Sequence, residues 1–162
     1  MPPPENRDKT FLMKTLKILV LNGPNLNLLG TREPDIYGTE TLASIETDLL
    51  AAAKDLGGVE LEFLQSNAES DLITRIGATR GAFDGILINP AALTHTSLGL
   101  ADALSAVGDV VPAVEVHLSN TAAREEIRHR SLTASACIGQ IMGFKGYGYP
   151  LALKALVKQL RG

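Results

Sequence analysis

Short aliphatic runs alternate along this chain with stretches whose apolar positions recur at helical spacing. The runs are residues 16–21, 59–65, 85–89, 113–117 and 136–142, each the length of a strand buried on both faces, and the first is bounded by Gly23-Pro24. Between the first two, Leu42, Ile45, Leu49, Ala53 and Leu56 line one face of a helix that Gly57-Gly58 stops. Leu72, Ile73 and Ile76 mark a second helix, residues 98–107 a third and residues 122–127 a shorter fourth, and Pro150 opens the regular part of the last. Strands alternating with helices predict βαβ units with right-handed crossovers. Five of each predict an α/β fold of flavodoxin-like order, a five-stranded parallel sheet with helices on both faces.

In such sheets ligands bind beyond the carboxyl ends of the strands, where the strand order reverses. Polar groups collect at those ends here. Strand one runs out in Asn22 and Asn25, strand three in Asn89 with His95 close behind, and strand four in His117, Ser119 and Asn120. The segment from Asn22 to Gly38 then spends seventeen residues on polar groups, glycines and prolines before the next helix. Connections in compact domains have a median of about 4 to 6 residues, and longer ones are lids, binding loops or disorder. Leu26, Leu28, Leu29 and Ile36 anchor this one, so it reads as a mobile arm carrying Arg32 and Tyr37 over the strand-end asparagines. A guanidinium near a phenol favours the phenolate, lowering a pKa ordinarily about 10 and making the tyrosine a usable base. The plainer alternative for Tyr37 is an aromatic packing anchor.

Composition narrows the function. With 162 residues, 45% of them hydrophobic, the chain is one ordinary domain with a full core, and 4% aromatics with no Trp make that core aliphatic. A net charge of -3, a pI near 5.6 and the lack of a basic stripe give little basis for gripping nucleic acid or an acidic membrane. Cys137 is the only cysteine, so neither an internal disulfide nor a cysteine metal site can form, and a reducing, cytoplasmic setting fits. Residues 1–15, with three prolines and mixed charges, read as a disordered, solvated arm ahead of a single domain at 16–162, and their apolar stretch is too short for a signal peptide or membrane span. Met13-Lys14 makes an alternative start, and an arm packed on a neighbouring subunit is the other reading.

Several residues carry candidate chemistry. Glu115 and His117 stand two apart on a strand and so share a face, where the carboxylate can fix the imidazole tautomer. Mutual satisfaction of two buried groups is the plainer account. His95 lies among Thr94, Thr96 and Ser97, any of which can cap the third helix, and near the amides of a helix start that suit a carboxylate. Arg124 and Arg128, four apart on the fourth helix, form a solvated face with Glu125 and Glu126 or turn a guanidinium inward to a substrate. No G-x-S-x-G, Walker loop or H-E-x-x-H occurs, and the spacing of the three histidines recommends no metal. Gly146-Tyr147-Gly148 starts a dinucleotide-like pattern that Leu151 interrupts.

Four ordered motifs, NGPNLNLLGTREPDIYG, INPAALTHTS, VEVHLSN and REEIRH, together resemble the type II 3-dehydroquinate dehydratases, over essentially residues 16–160. The resemblance implies a flavodoxin-like hydro-lyase that converts 3-dehydroquinate to 3-dehydroshikimate without metal or cofactor, in the shikimate or quinate pathway. It also implies a dodecamer, a tetramer of trimers. By this likeness Tyr37 matches the base, Arg32 the lid arginine that favours its phenolate, and Asn25 the residue orienting a water at an enolate oxygen. His117 matches the general acid, held by Glu115. Asn89 and the backbone amides of Leu118 and Ser119 match a carboxylate site, Arg128 and His95 the residues holding ring hydroxyls, Asp102 a residue reaching an adjacent subunit, and Arg124 a second arginine near the tyrosine. Ala101 departs from a common arginine, and Ala91 and Ala92 from a common glycine. Two rivals stand beside this reading: a binding module using the same groove without chemistry, which gives Tyr37 no task, and dehydration through a lysine imine, for which no lysine falls at a matched position.

Overall fold

The computed structural model describes residues 13–31, 33–37 and 39–162, apart from the side chain of Tyr37. Its strands are β1 (Leu16–Asn22), β2 (Val59–Gln65), β3 (Gly85–Asn89), β4 (Ala113–His117) and β5 (Gly139–Met142). The helices are α1 (Pro34–Tyr37), α2 (Leu42–Leu56), α3 (Glu69–Gly77), α4 (Leu98–Val107) and α5 (Gly148–Arg161). Every strand pair is parallel and the order is β2-β1-β3-β4-β5, the expected flavodoxin-like arrangement. Most of the expected arm, residues 1–12, lies outside the described residues.

Alternation along the strands divides the core between two faces. Ile18 and Val20 of β1 join Leu87 of β3 on the face covered by α2 and α5. Leu19 and Leu21 join Ile86 and Ile88 on the face covered by α3 and α4. The helices on the sheet turn their apolar stripes inward, among them Ile45, Leu49 and Ala53 from α2 and Leu72 and Ile76 from α3. Gly57 and Gly58, at φ +68° and +60°, stop α2 in the left-handed region that only glycine enters cheaply.

Two expectations need correction. Residues 122–127 form no α-helix. They fold as two 3-10 turns, Thr121–Ala123 and Glu126–Arg128, with Arg124 extended between them at φ -102° and ψ -168°. A short helix is stable only when it buries an apolar face, and here Ala122, Ala123 and Ile127 are all exposed. The run at 136–142 is a strand only from Gly139, because residues 134–136 turn as a 3-10 element first. Of the three candidate caps of α4, Ser97 is the one used, its side chain accepting from the Leu100 N–H at 2.8 Å.

Candidate active site

The strand order reverses between β1 and β3, and their last residues, Asn22 and Asn89, pair in register there. Just beyond, the Gly23 N–H donates to the Asn89 carbonyl at 2.8 Å, and a Cβ on Gly23 would stand 2.4 Å from the Pro90 carbonyl oxygen. Only glycine lets these two strand exits approach so closely. A cleft of about 170 Å³ opens above this junction, and Asn25, Asn89, His95, His117, Arg124 and Arg128 are among the residues on its wall. Leu118 and Ser119, directly after β4, also line it.

At the end of β4, His117 Nε2 donates to Glu115 Oε1 at 2.6 Å, a bond that their shared face allows. That bond fixes the tautomer and leaves Nδ1 as the nitrogen that addresses the cleft. Glu115 is fully buried. Around its carboxylate stand Thr94 Oγ1 at 3.0 Å, Ser131 Oγ at 2.9 Å, Gln140 Nε2 at 2.8 Å and Thr133 Oγ1 at 2.5 Å. Burial by itself pushes the Glu115 carboxyl up, but hydrogen bonds from His117, Thr133 and Ser131 and the His117 charge outweigh it and hold the group below the ordinary carboxylate value. Glu115 is thus a buried carboxylate kept ionised by its donors.

The remaining residues are placed by loop geometry. Asn25 sits at φ +68°, a conformation asparagine tolerates, and its N–H donates to Asn67 Oδ1 at 2.9 Å. Gln65 Nε2 braces the same Asn67 oxygen at 3.1 Å, and the Asn25 side chain makes no cap bond to the turn behind it. His95 Nδ1 donates to the Arg130 carbonyl at 2.8 Å, which turns Nε2 toward the cleft. Arg124 and Arg128 reach the wall from the extended link and the second 3-10 turn, each pairing through Nε with Glu125 Oε2, at 3.5 and 3.3 Å. Their convergence therefore arises from two separate turns, and the single helix face expected for them is absent.

Ala91, one of the two alanines that depart from a common glycine, holds φ +53° and donates its N–H to Asn89 Oδ1 at 3.0 Å, closing an Asx turn. Asp102 is exposed on α4 and does not line the cleft. Arg32 and the Tyr37 side chain lie outside the described residues; the backbone of Tyr37 ends α1.

Sequence reasoning missed the donors behind Glu115. In the sequence Thr94 reads only as a cap, and Ser131 and Thr133 carry no signal. Gln140 carries the one legible signal, an amide in a short apolar strand, and β5 sets it in register beside Glu115. Among the described residues, no three of His, Cys, Asp and Glu gather as a metal site would require, and no helix is long and apolar enough to cross a membrane.

A family model described as dehydroquinase class II matches residues 16–157. A 3-dehydroquinate dehydratase of Jannaschia sp. (strain CCS1) is 56% identical over 146 residues, covering 90% of this chain and 97% of that protein. Another from Geotalea daltonii is 53% identical over 146 residues, with 90% and 99% covered. Among solved structures, the type II dehydroquinase of Butyrivibrio crossotus superposes with a TM-score of 0.84 at 43% identity, covering 88% of this chain and 97% of its own. That of Propionibacterium acnes gives 0.82 at 40% identity, with 92% and 99% covered.

Proposed function

The chain belongs to the class II dehydroquinases, and we propose on that footing that it is a hydro-lyase converting 3-dehydroquinate to 3-dehydroshikimate by anti elimination of water through an enolate. The observation that carries this reading is the buried Glu115–His117 pair opening on a cleft at the β1/β3 switch point, opposite strand-end amides and two guanidinium groups.

In this mechanism the Tyr37 phenolate, favoured by Arg32, takes a proton from the carbon beside the ketone. The electron pair moves into the carbonyl, and the enolate oxygen gains charge that a water oriented by Asn25 stabilises. Donors aimed at developing charge lower the barrier most, because that charge is largest in the transition state. The enolate then collapses. Its electron pair forms the new carbon–carbon double bond, the hydroxyl leaves, and the His117 imidazolium donates the Nδ1 proton to make it water, while Glu115 holds the ring in place. Asn89 with the amides of Leu118 and Ser119 binds the carboxylate, and His95 and Arg128 hold ring hydroxyls. Arg124 serves as a second arginine for the tyrosine. This scheme uses no metal and no cofactor.

The same reading takes the enzyme as cytoplasmic and as a homododecamer, a tetramer of trimers, in the shikimate or quinate pathway, with residues 16–162 as one catalytic domain. The exposed position of Asp102 on α4 supports its service to a neighbouring subunit's site. His117→Ala is expected to lose at least about 10²-fold in kcat with the fold intact, the scale of a lost general acid. Arg32→Gln is expected to raise the kinetic pKa of the base. Unaltered turnover in the first, or an unaltered pH profile in the second, removes that residue from its role. Borohydride with substrate is expected to trap nothing; a covalent adduct on lysine supports an imine route instead.

A further inference from the structure

Tyr149, in the first turn of α5, is wholly buried, and the mechanism does not use it. Its hydroxyl stands between the two asparagines of the switch point, 2.9 Å from Asn89 Nδ2 and 2.7 Å from Asn22 Oδ1. The polarity of this chain of amides is imposed from one end. A backbone N–H can only donate, and that of Ala91 donates to Asn89 Oδ1 at 3.0 Å. Asn89 Nδ2 is therefore the atom that faces Tyr149, and the hydroxyl accepts from it. The single hydroxyl proton then goes to Asn22, whose facing atom must be Oδ1.

Two consequences follow from that polarity. Asn22 Nδ2 is left buried with no partner among the described residues, a desolvation cost the fold carries. Asn89 Nδ2 has two protons, of which Tyr149 takes one and the other remains for the cleft that Asn89 lines. The Ala91 N–H sets which end of the Asn89 amide faces Tyr149, and the hydroxyl, by accepting one of the two Nδ2 protons, holds the amide so that the other stays directed at a ligand. Burial pushes the Tyr149 phenol above the usual tyrosine range, so it holds this place as a neutral hydroxyl.

We propose that Tyr149 is a positioning residue that, through Asn89, presents an N–H donor to the carboxylate of the substrate. This rests on the reading of Asn89 as a carboxylate-binding group. Such a contact is made equally in ground and transition states, so its loss raises KM and spares kcat. Steady-state kinetics of Tyr149→Phe, with folding checked by circular dichroism, are expected to show KM up roughly tenfold and kcat within about twofold. Asn89→Ala is expected to raise KM at least as much, and adding Tyr149→Phe to it should change KM no further. A purely structural Tyr149 would lower stability and leave the KM of the folded protein alone. If Asn89→Ala raises KM and Tyr149→Phe does not, or if the two effects multiply, the positioning role is wrong. If Asn89→Ala itself leaves KM unaltered, the carboxylate reading of Asn89 falls and takes the inference with it. Should Tyr149→Phe fail to fold, Asn22→Ala tests the chain from its far end by removing the acceptor of the hydroxyl proton. KM is then expected to rise by a smaller factor, and an unaltered KM contradicts the proposal.

Discussion

Glu115 is a residue whose partners decide both stability and chemistry. Five donors hold an ionised carboxylate against burial, which by itself pushes its pKa up. Because its folded pKa lies below the ordinary 4.5, the folded state binds fewer protons than the unfolded chain between those two values. Its contribution to stability is therefore complete above about pH 4.5 and is lost as pH falls through the lower folded value. Glu115→Gln is expected to flatten the fall of the urea midpoint below that pH and, by leaving the His117 imidazolium unsupported, to lower kcat by roughly 10²–10³-fold. An acid limb as steep as before, with turnover retained, contradicts both roles. The pairing of Glu115 with His117 was legible from a spacing of two on a strand, which is local geometry. The hydroxyls of Thr94, Ser131 and Thr133 were not, since they arrive from two loops that only the folded chain brings together.

At the scale of elements, the site depends on how closely β1 and β3 exit the sheet. Gly23→Ala sets a Cβ 2.4 Å from the Pro90 oxygen and 2.7 Å from its carbon, both backbone atoms that cannot step aside. We expect a loss of at least about 2 kcal/mol in urea unfolding, and a raised KM as Asn25 and Asn89 separate. Gly77→Ala is the control: nothing lies within 4 Å of a Cβ there and its φ is ordinary, so that change should stabilise by about 0.4–1 kcal/mol. Equal effects in the two variants would mean that the close approach is not what holds the junction. Aliphatic runs and their spacing predicted three strands to the residue and placed α2 and α4, because burial on both faces writes itself into local sequence. The helix expected at 122–127 failed for the converse reason: its periodicity had no core to meet, and Ile127 stands 74% exposed. Arg124 and Arg128 still reach the cleft, by two turns, the first capped by Asn120, and not by a period of 3.6.

The whole molecule places its polar groups by topology. The order β2-β1-β3-β4-β5 brings the ends of β1, β3 and β4 side by side, and the asparagines, histidines and arginines of the three segments that follow them meet above. That convergence was readable from the strand-end positions. The amide polarity that runs from Ala91 to Asn22 was not, because it requires a tyrosine 60 residues beyond Asn89. The central claim is that this cleft, with Tyr37 as the base, dehydrates 3-dehydroquinate. Its most direct test mixes the purified protein with 3-dehydroquinate and follows the ultraviolet absorbance of the conjugated enone product, with Tyr37→Phe beside it. The account predicts a rise in absorbance with the unaltered protein and at most a small fraction of that rate with the variant. A folded protein that binds 3-dehydroquinate and produces no absorbance would contradict it, and would favour a binding module built on the same groove.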